Sequence, residues 1–175
     1  MSARKVMAWY GAWMAVLAAL FYALPGWHIL LWSAIGLSSA GAIGYGLYRY
    51  RPRRWSPWLW IIAGLLLLSA GDTLYNVMTD VLGKVNPFPS PADMLYLAMY
   101  PAVTIGLLGL SKAGAASRDR TVPLDALIVT AGLGLLSWIF LISPQILNQD
   151  LTMSQRLVSV AYPLGDILIL ATVGG

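Results

Sequence analysis

The sequence predicts an all-α protein, a polytopic membrane helix bundle of about six transmembrane helices with both termini in the cytoplasm. Of its 175 residues, 59% are hydrophobic and only 10% are charged. Soluble domains usually carry about 25% charged residues, so this chain cannot cover itself with a polar surface. Eight tryptophans and nine tyrosines provide side chains of the kind that anchor helices at water–lipid interfaces.

Six apolar runs approach the length of about 20 residues that a membrane-spanning helix needs. Breaks such as Pro25-Gly26 and Arg51-Pro52-Arg53-Arg54 separate them. The predicted spans are residues 7–24, 28–48, 58–78, 93–111, 124–144 and 157–175. We expect residues 1–175 to form a single transmembrane domain. The last span is still apolar where the sequence stops, which indicates a fragment of a longer protein.

The basic residues predict the orientation of these spans. With the N-terminus inside, nine of the eleven lysines and arginines fall in cytoplasmic segments and two fall outside. Cytoplasmic loops of membrane proteins carry such an excess. The inside set is Arg4, Lys5, Arg49, Arg51, Arg53, Arg54, Lys112, Arg118 and Arg120, and the outside set is Lys84 and Arg156.

Composition also limits the function. The absence of cysteine excludes disulfides and thiolate metal sites, and the single His28 argues against a multi-histidine metal or haem site. We therefore expect no metal and no cofactor. Because topology explains the net charge of +4, we expect membrane lipids and no nucleic acid as partners of the basic loops. Phosphate-binding loops and nucleophile elbows are also absent from the sequence.

Small residues recur every four positions along the second span, at Gly36, Ala40 and Gly44. Such a stripe lets two helices approach closely in lipid. The interpretation that we favour is packing within the chain rather than dimerisation.

Four aspartates lie in or at the ends of the spans, and three of them, Asp72, Asp93 and Asp166, are the candidate functional residues. The fourth, Asp125, opens the fifth span, where an acid complements the helix dipole. Asp93 follows Ser90 and Pro91, a pattern typical of a helix N-terminus in which the acid bonds back to the cap. Asp72 and Asp166 have no such local explanation, and a charge in lipid is costly enough to suggest function. Each of the three candidate aspartates has tyrosines three, four or seven residues away, so a phenol is expected to reach the carboxylate on its own helix.

These residues predict one polar cavity that opens outward, because a buried carboxylate needs hydrogen-bond donors. A structural network that only holds the bundle together is the alternative. Pro101 and Pro163, each directly after a tyrosine, are predicted hinges because proline interrupts helical hydrogen bonding. The predicted cavity residues are Asp72, Tyr75, Asp93, Tyr96, Tyr100, Tyr162 and Asp166.

Four segments together resemble a known family: GDTLY (71–75), PFPSPADMLYLAMYP (87–101), LDALIVTAGLGLLSW (124–138) and VAYPLGDILIL (160–170). They are similar to the N-terminal multi-helix integral membrane region of actinobacterial signalling proteins that carry GGDEF and often EAL domains. The resemblance implies a sensor or anchor in the bacterial plasma membrane, with a cytoplasmic output that makes or degrades cyclic di-GMP. It also implies a homodimer through those signalling domains and an input from an unknown small ligand or lipid.

Two other functions stay open. GDTLY after an apolar run, followed by a span with Tyr-Pro, also resembles the lysoplasmalogenase-like membrane hydrolases. That likeness implies that Asp72 and Asp166 activate water for vinyl-ether cleavage, one as base and the other as acid. A protonatable pair in a helix bundle is also compatible with a small proton- or cation-coupled transporter.

The sequence departs from the signalling family in one respect, because no GGDEF, EAL or PAS sequence is present.

Single cysteines placed at Ser56, Gly83, Ser117 and Gln149 test the predicted orientation. Membrane-impermeant maleimide added to intact cells should label positions 83 and 149 and leave positions 56 and 117 unlabelled until the cells are opened. The reverse pattern contradicts the orientation.

Overall fold

The computed structural model describes the backbone of residues 3–114 and 121–174, and the side chains of residues 4–111 and 128–173. The described chain is helical almost throughout and contains six helices long and apolar enough to span a membrane. The helices are α1 (Ala3–Ala23), α2 (His28–Tyr50), α3 (Ser56–Asn76), α4 (Pro91–Gly114), α5 (Thr121–Ser137), the short α6 (Ser143–Leu147) and α7 (Met153–Gly174).

This architecture confirms the predicted all-α fold with six spans, and the chain is a multi-pass membrane protein. The helices extend a few residues beyond the predicted apolar runs, because polar residues at a helix end remain in the helix. Two helices continue through a π turn, α3 into Val77–Val81 and α5 into Trp138–Ile142, which leads to α6. Arg118, Arg120, Gly175 and the side chains of Lys112 and Asp125 lie outside the described residues.

The helices do not pack in chain order. Among the described residues, the most extensive contact is between α3 and α4. Helix α3 also packs against α2, and α2 in turn contacts α1. The last helix, α7, packs between α4 and α5. The order across the bundle is therefore α1, α2, α3, α4, α7, α5, which brings α4 into contact with both α3 and α7.

Glycines bring α3 and α4 together. A Cβ at Gly106 of α4 would lie 2.9 Å from the backbone oxygen of Pro57, and one at Gly109 would overlap the Pro57 ring. Nearer the other end, a Cβ at Gly64 of α3 would meet the side chain of Val103. Such close approach lets van der Waals contacts hold helices together in lipid, where no hydrophobic force gathers them.

Contacts between the connecting segments define one end of the bundle. The side chain of Gln155, at the start of α7, donates to the backbone oxygen of Phe88 in the α3–α4 loop at 3.2 Å. Residues from Pro25 to Leu30 share a cleft with Asp80 and Val81. The three turns predicted to be extracellular therefore lie together, and the α2–α3 turn lies at the opposite end.

The outer surface of the bundle is apolar. Leucines and aromatic residues project from the helices, as in Leu37 of α2, Phe140 after α5 and Leu164 of α7, which are 57%, 71% and 50% exposed. A soluble monomer rarely exposes such continuous apolar surface, and a bilayer would cover it.

Candidate functional site

Helix α4 carries three of the predicted site residues, and its N-terminus fixes the first of them. The backbone N–H and the hydroxyl of Ser90 both donate to Asp93 Oδ2, at 2.6 and 3.0 Å. The predicted bond from Asp93 back to the cap is therefore confirmed. Asp93 is only 7% exposed, so these donors satisfy a buried carboxylate. Its other oxygen, Oδ1, is left for a partner outside α4.

That partner comes from α7. The hydroxyl of Tyr162 donates to Asp93 Oδ1 at 2.6 Å. About two turns further along α4 and one turn along α7, the direction reverses, and Tyr100 of α4 donates to Asp166 Oδ1 of α7 at 2.8 Å. The rings of Tyr100 and Tyr162 meet edge to face, with centroids 6.4 Å apart. Two reciprocal tyrosine–carboxylate bonds thus join α4 to α7.

Asp72 makes the corresponding link on the other side of α4. Tyr96 of α4 donates to Asp72 Oδ1 at 2.8 Å, and the indole N–H of Trp32 on α2 donates to Oδ2 at 2.7 Å. Next to it, the hydroxyls of Ser33 on α2 and Thr73 on α3 lie 2.8 Å apart. The carboxylate of α3 is therefore shared between its two neighbouring helices.

A glycine directly precedes both Asp72 and Asp166, and the tyrosine that donates to each aspartate packs on that glycine. A Cβ at Gly71 would overlap the Tyr96 ring, and a Cβ at Gly165 would overlap the Tyr100 ring. The missing side chain lets the flat ring lie against the helix backbone with its hydroxyl at the next residue. The Gly-Asp dipeptide that recurs in α3 and α7 is the sequence signal for this arrangement, and it is not among the features from which the site was predicted.

The prediction that each phenol bonds to a carboxylate on its own helix is wrong. The tyrosine–aspartate hydrogen bonds of the described residues run between helices. The physical reason is reach, because the hydroxyl at the end of a rigid ring extends past the short aspartate on the same helix face. Across a glycine contact it meets the aspartate of the neighbouring helix. Trp32 is a further member of the network that the sequence does not indicate, because a tryptophan in a membrane helix is typical of an interface anchor.

An open cleft of about 630 Å³ lies beside this network. It sits at the end of the bundle where the α3–α4 loop meets the start of α7. Its lining combines one carboxylate, three aromatic rings and two amides, from Asp93, Tyr75, Tyr96, Phe88, Asn86 and Gln155, together with Pro87. Asp93 and Tyr96 thus belong both to the cleft and to the hydrogen-bonded network.

The seven predicted cavity residues divide into two groups. Tyr75, Asp93 and Tyr96 line the cleft. The other four, Asp72, Tyr100, Tyr162 and Asp166, take part in the bonds between helices without lining the cleft, whereas Asp93 and Tyr96 do both. A single cavity shared by all seven stays a prediction.

The predicted hinges lie within unbroken helices. Pro101 is inside α4 and Pro163 is inside α7, and each directly follows a tyrosine of the network. Pro163 is buried and Pro101 is exposed. Their role as hinges stays a prediction.

Comparisons of this chain with protein-family models, with curated proteins and with solved structures found no match. No family is therefore identified, and the resemblance to the membrane region of GGDEF and EAL signalling proteins stays a prediction.

The shared position of Asp72 predicts different effects for two substitutions. Asp72→Asn keeps one acceptor oxygen, for either Tyr96 or Trp32, whereas Asp72→Leu leaves both donors without an acceptor. We expect Leu to lower the free energy of unfolding by about 0.6–1.7 kcal/mol more than Asn does, the range measured for hydrogen bonds between membrane helices, as determined by denaturant titration in detergent. The same two substitutions at the exposed Asp80 are the control and should differ little. Equal effects of Asn and Leu at position 72 would show that the network adds no stability there.

Proposed function

We propose that this chain is the sensor or anchor module of a bacterial membrane signalling protein, which passes an input to a cytoplasmic output domain. The observation that carries the proposal is the position of Asp93. It lines the cleft and at the same time accepts the hydrogen bond from Tyr162 that ties α7 to α4. A ligand in the cleft can therefore act directly on the contact between two membrane helices.

The lining of the cleft indicates the class of ligand. Asp93 supplies a carboxylate, and the rings of Tyr75, Phe88 and Tyr96 offer π faces that attract cations. Asn86 and Gln155 add amide groups that can donate or accept hydrogen bonds. This combination suits a small ligand, or a lipid headgroup, that carries a positive charge. The orientation predicted from the basic residues places the cleft on the outer face of the membrane.

The input would act through competition for the carboxylate of Asp93. A cationic group that binds Oδ1 weakens the bond from Tyr162 and so favours an arrangement in which α7 is less tightly held. Only unequal affinity for the two arrangements shifts their populations. Pro163 follows Tyr162 directly, and its missing N–H removes one helical hydrogen bond, which lowers the cost of bending α7 at that point.

The nature of the output rests on the sequence resemblance. It implies a domain that makes or degrades cyclic di-GMP, dimerisation through that domain, and a location in the plasma membrane. In this arrangement α7 would carry the change from the cleft to the cytoplasmic side.

The hydrolase interpretation needs Asp72 and Asp166 to act together on one substrate. These residues lie on α3 and α7, and each accepts a hydrogen bond from a different tyrosine of α4. The network thus gives each of them a partner on the helix between them, and this arrangement favours a role in holding helices over a shared water-activating site.

A chimera with a diguanylate cyclase domain fused after residue 174 tests the signalling proposal. Tyr162→Phe removes the hydroxyl that bonds to Asp93. A hydrogen bond between membrane helices is worth about 0.6 kcal/mol, so the population of the two arrangements should change by roughly threefold. Cellular cyclic di-GMP should change by a similar factor at equal amounts of membrane protein.

Tyr22→Phe is the matched control, because Tyr22 is 84% exposed on α1, and it should leave cyclic di-GMP unchanged. Identical levels in both variants and the parent contradict the proposed coupling. The 175-residue chain should also show no turnover of lysoplasmalogen in liposomes. Product release that is abolished by Asp72→Asn or Asp166→Asn would establish the hydrolase instead.

A further inference from the structure

The end of the bundle opposite the cleft at Asp93 has two further clefts, at the turn between α2 and α3. Their volumes are about 270 and 420 Å³, and they share Leu47 and Pro52 in their walls. Aromatic residues line both, with Trp58 in the smaller cleft and Trp55 in the larger. Apart from Arg51, which borders the larger cleft, their lining side chains carry no charge.

Four arginines lie in or beside the α2–α3 turn, at positions 49, 51, 53 and 54. Arg51 lines the larger cleft, and the guanidinium of Arg49 lies 5.9 Å from the ring centre of Tyr50, which lines the smaller one. The chain contains no acidic residue before Asp72, which lies near the other end of α3. The α2–α3 turn is therefore a concentrated positive charge beside two apolar grooves. An anionic headgroup complements the first, and hydrocarbon chains complement the second.

The backbone at Arg51 gives independent support. Arg51 ends α2 with φ of 42°, in the left-handed conformation, and its N–H bonds to the oxygen of Leu47. Glycine adopts this conformation without the steric cost that a side chain incurs. Arg51 therefore occupies a position where glycine would fit at lower cost, and it lines the larger cleft.

We propose that the α2–α3 turn is a specific site for an anionic glycerophospholipid. Arg51 and the neighbouring arginines hold the phosphate, and one acyl chain lies in each cleft, on either side of Leu47 and Pro52. Juxtamembrane arginines attract anionic lipid in general. The paired clefts turn that attraction into a defined site for a lipid with two chains.

Lipid binding to the full chain in neutral detergent tests this site. Native mass spectrometry would measure the dissociation constants of dioleoyl phosphatidylglycerol and dioleoyl phosphatidylcholine, which have identical chains. Each basic residue near an anionic group strengthens binding about fivefold, so phosphatidylglycerol should bind at least fivefold more tightly. Equal affinity for the two lipids overturns the proposal.

Arg51→Gly separates headgroup recognition from folding, because glycine suits the left-handed conformation. It should weaken phosphatidylglycerol binding about fivefold, leave phosphatidylcholine binding unchanged, and leave the melting temperature the same or higher. Lys84→Gln removes one positive charge from the far end of the bundle and should have no effect. Unchanged phosphatidylglycerol binding in Arg51→Gly contradicts the role of the arginine.

Filling the clefts tests the acyl chains. Gly46 lines the smaller cleft and Gly44 the larger, and a Cβ at either position meets open space. Gly44→Leu combined with Gly46→Leu should weaken binding of both lipids, while Gly41→Leu, also in open space on α2, should not. Unchanged binding in the filled variant overturns the two-cleft site. Displacement of the lipid by excess glycerol 3-phosphate would assign the arginines to a free phosphate instead.

Discussion

A carboxylate inside an apolar helix needs hydrogen-bond donors, because an ionised aspartate at the centre of a bilayer costs at least about 2.5–3.5 kcal/mol. This constraint explains the hydrogen bonds that α4 makes with its neighbouring helices. Asp72, Asp93 and Asp166 each take a tyrosine hydroxyl from a neighbouring helix. A carboxylate that would destabilise a single helix in lipid thus becomes the acceptor of a directional hydrogen bond between two helices. Hydrophobic burial cannot hold the helices together there, because the surrounding lipid is equally apolar.

The links make α4 the centre of the bundle. Tyr96 of α4 donates to α3. Towards α7, Asp93 of α4 accepts a hydrogen bond and Tyr100 of α4 donates one. The cleft at the end of the bundle has Asp93 and Tyr96 in its walls, so it shares two residues with the contacts of α4 to α3 and α7, and the proposed function rests on this overlap.

The sequence was sufficient for what depends on local physics. Runs of apolar residues predicted six spans, and Ser90, Pro91 and Asp93 predicted the start of α4. The pairing of side chains depends instead on which helices are neighbours, and chain order does not show that α7 lies between α4 and α5. Only that packing brings Tyr162 to Asp93. The glycines at 71 and 165 were visible in the sequence, but their meaning required the rings that lie on them.

A double-mutant cycle at Tyr162 and Asp93 tests the central claim most directly. The free energies of unfolding of the parent, Tyr162→Phe, Asp93→Ala and the double variant would be measured in detergent. If the hydroxyl and the carboxylate bond across α4 and α7, the two changes should couple by roughly 0.5–1.5 kcal/mol. Additive effects, within about 0.3 kcal/mol, would show that the bond does not hold these helices together and would contradict this account.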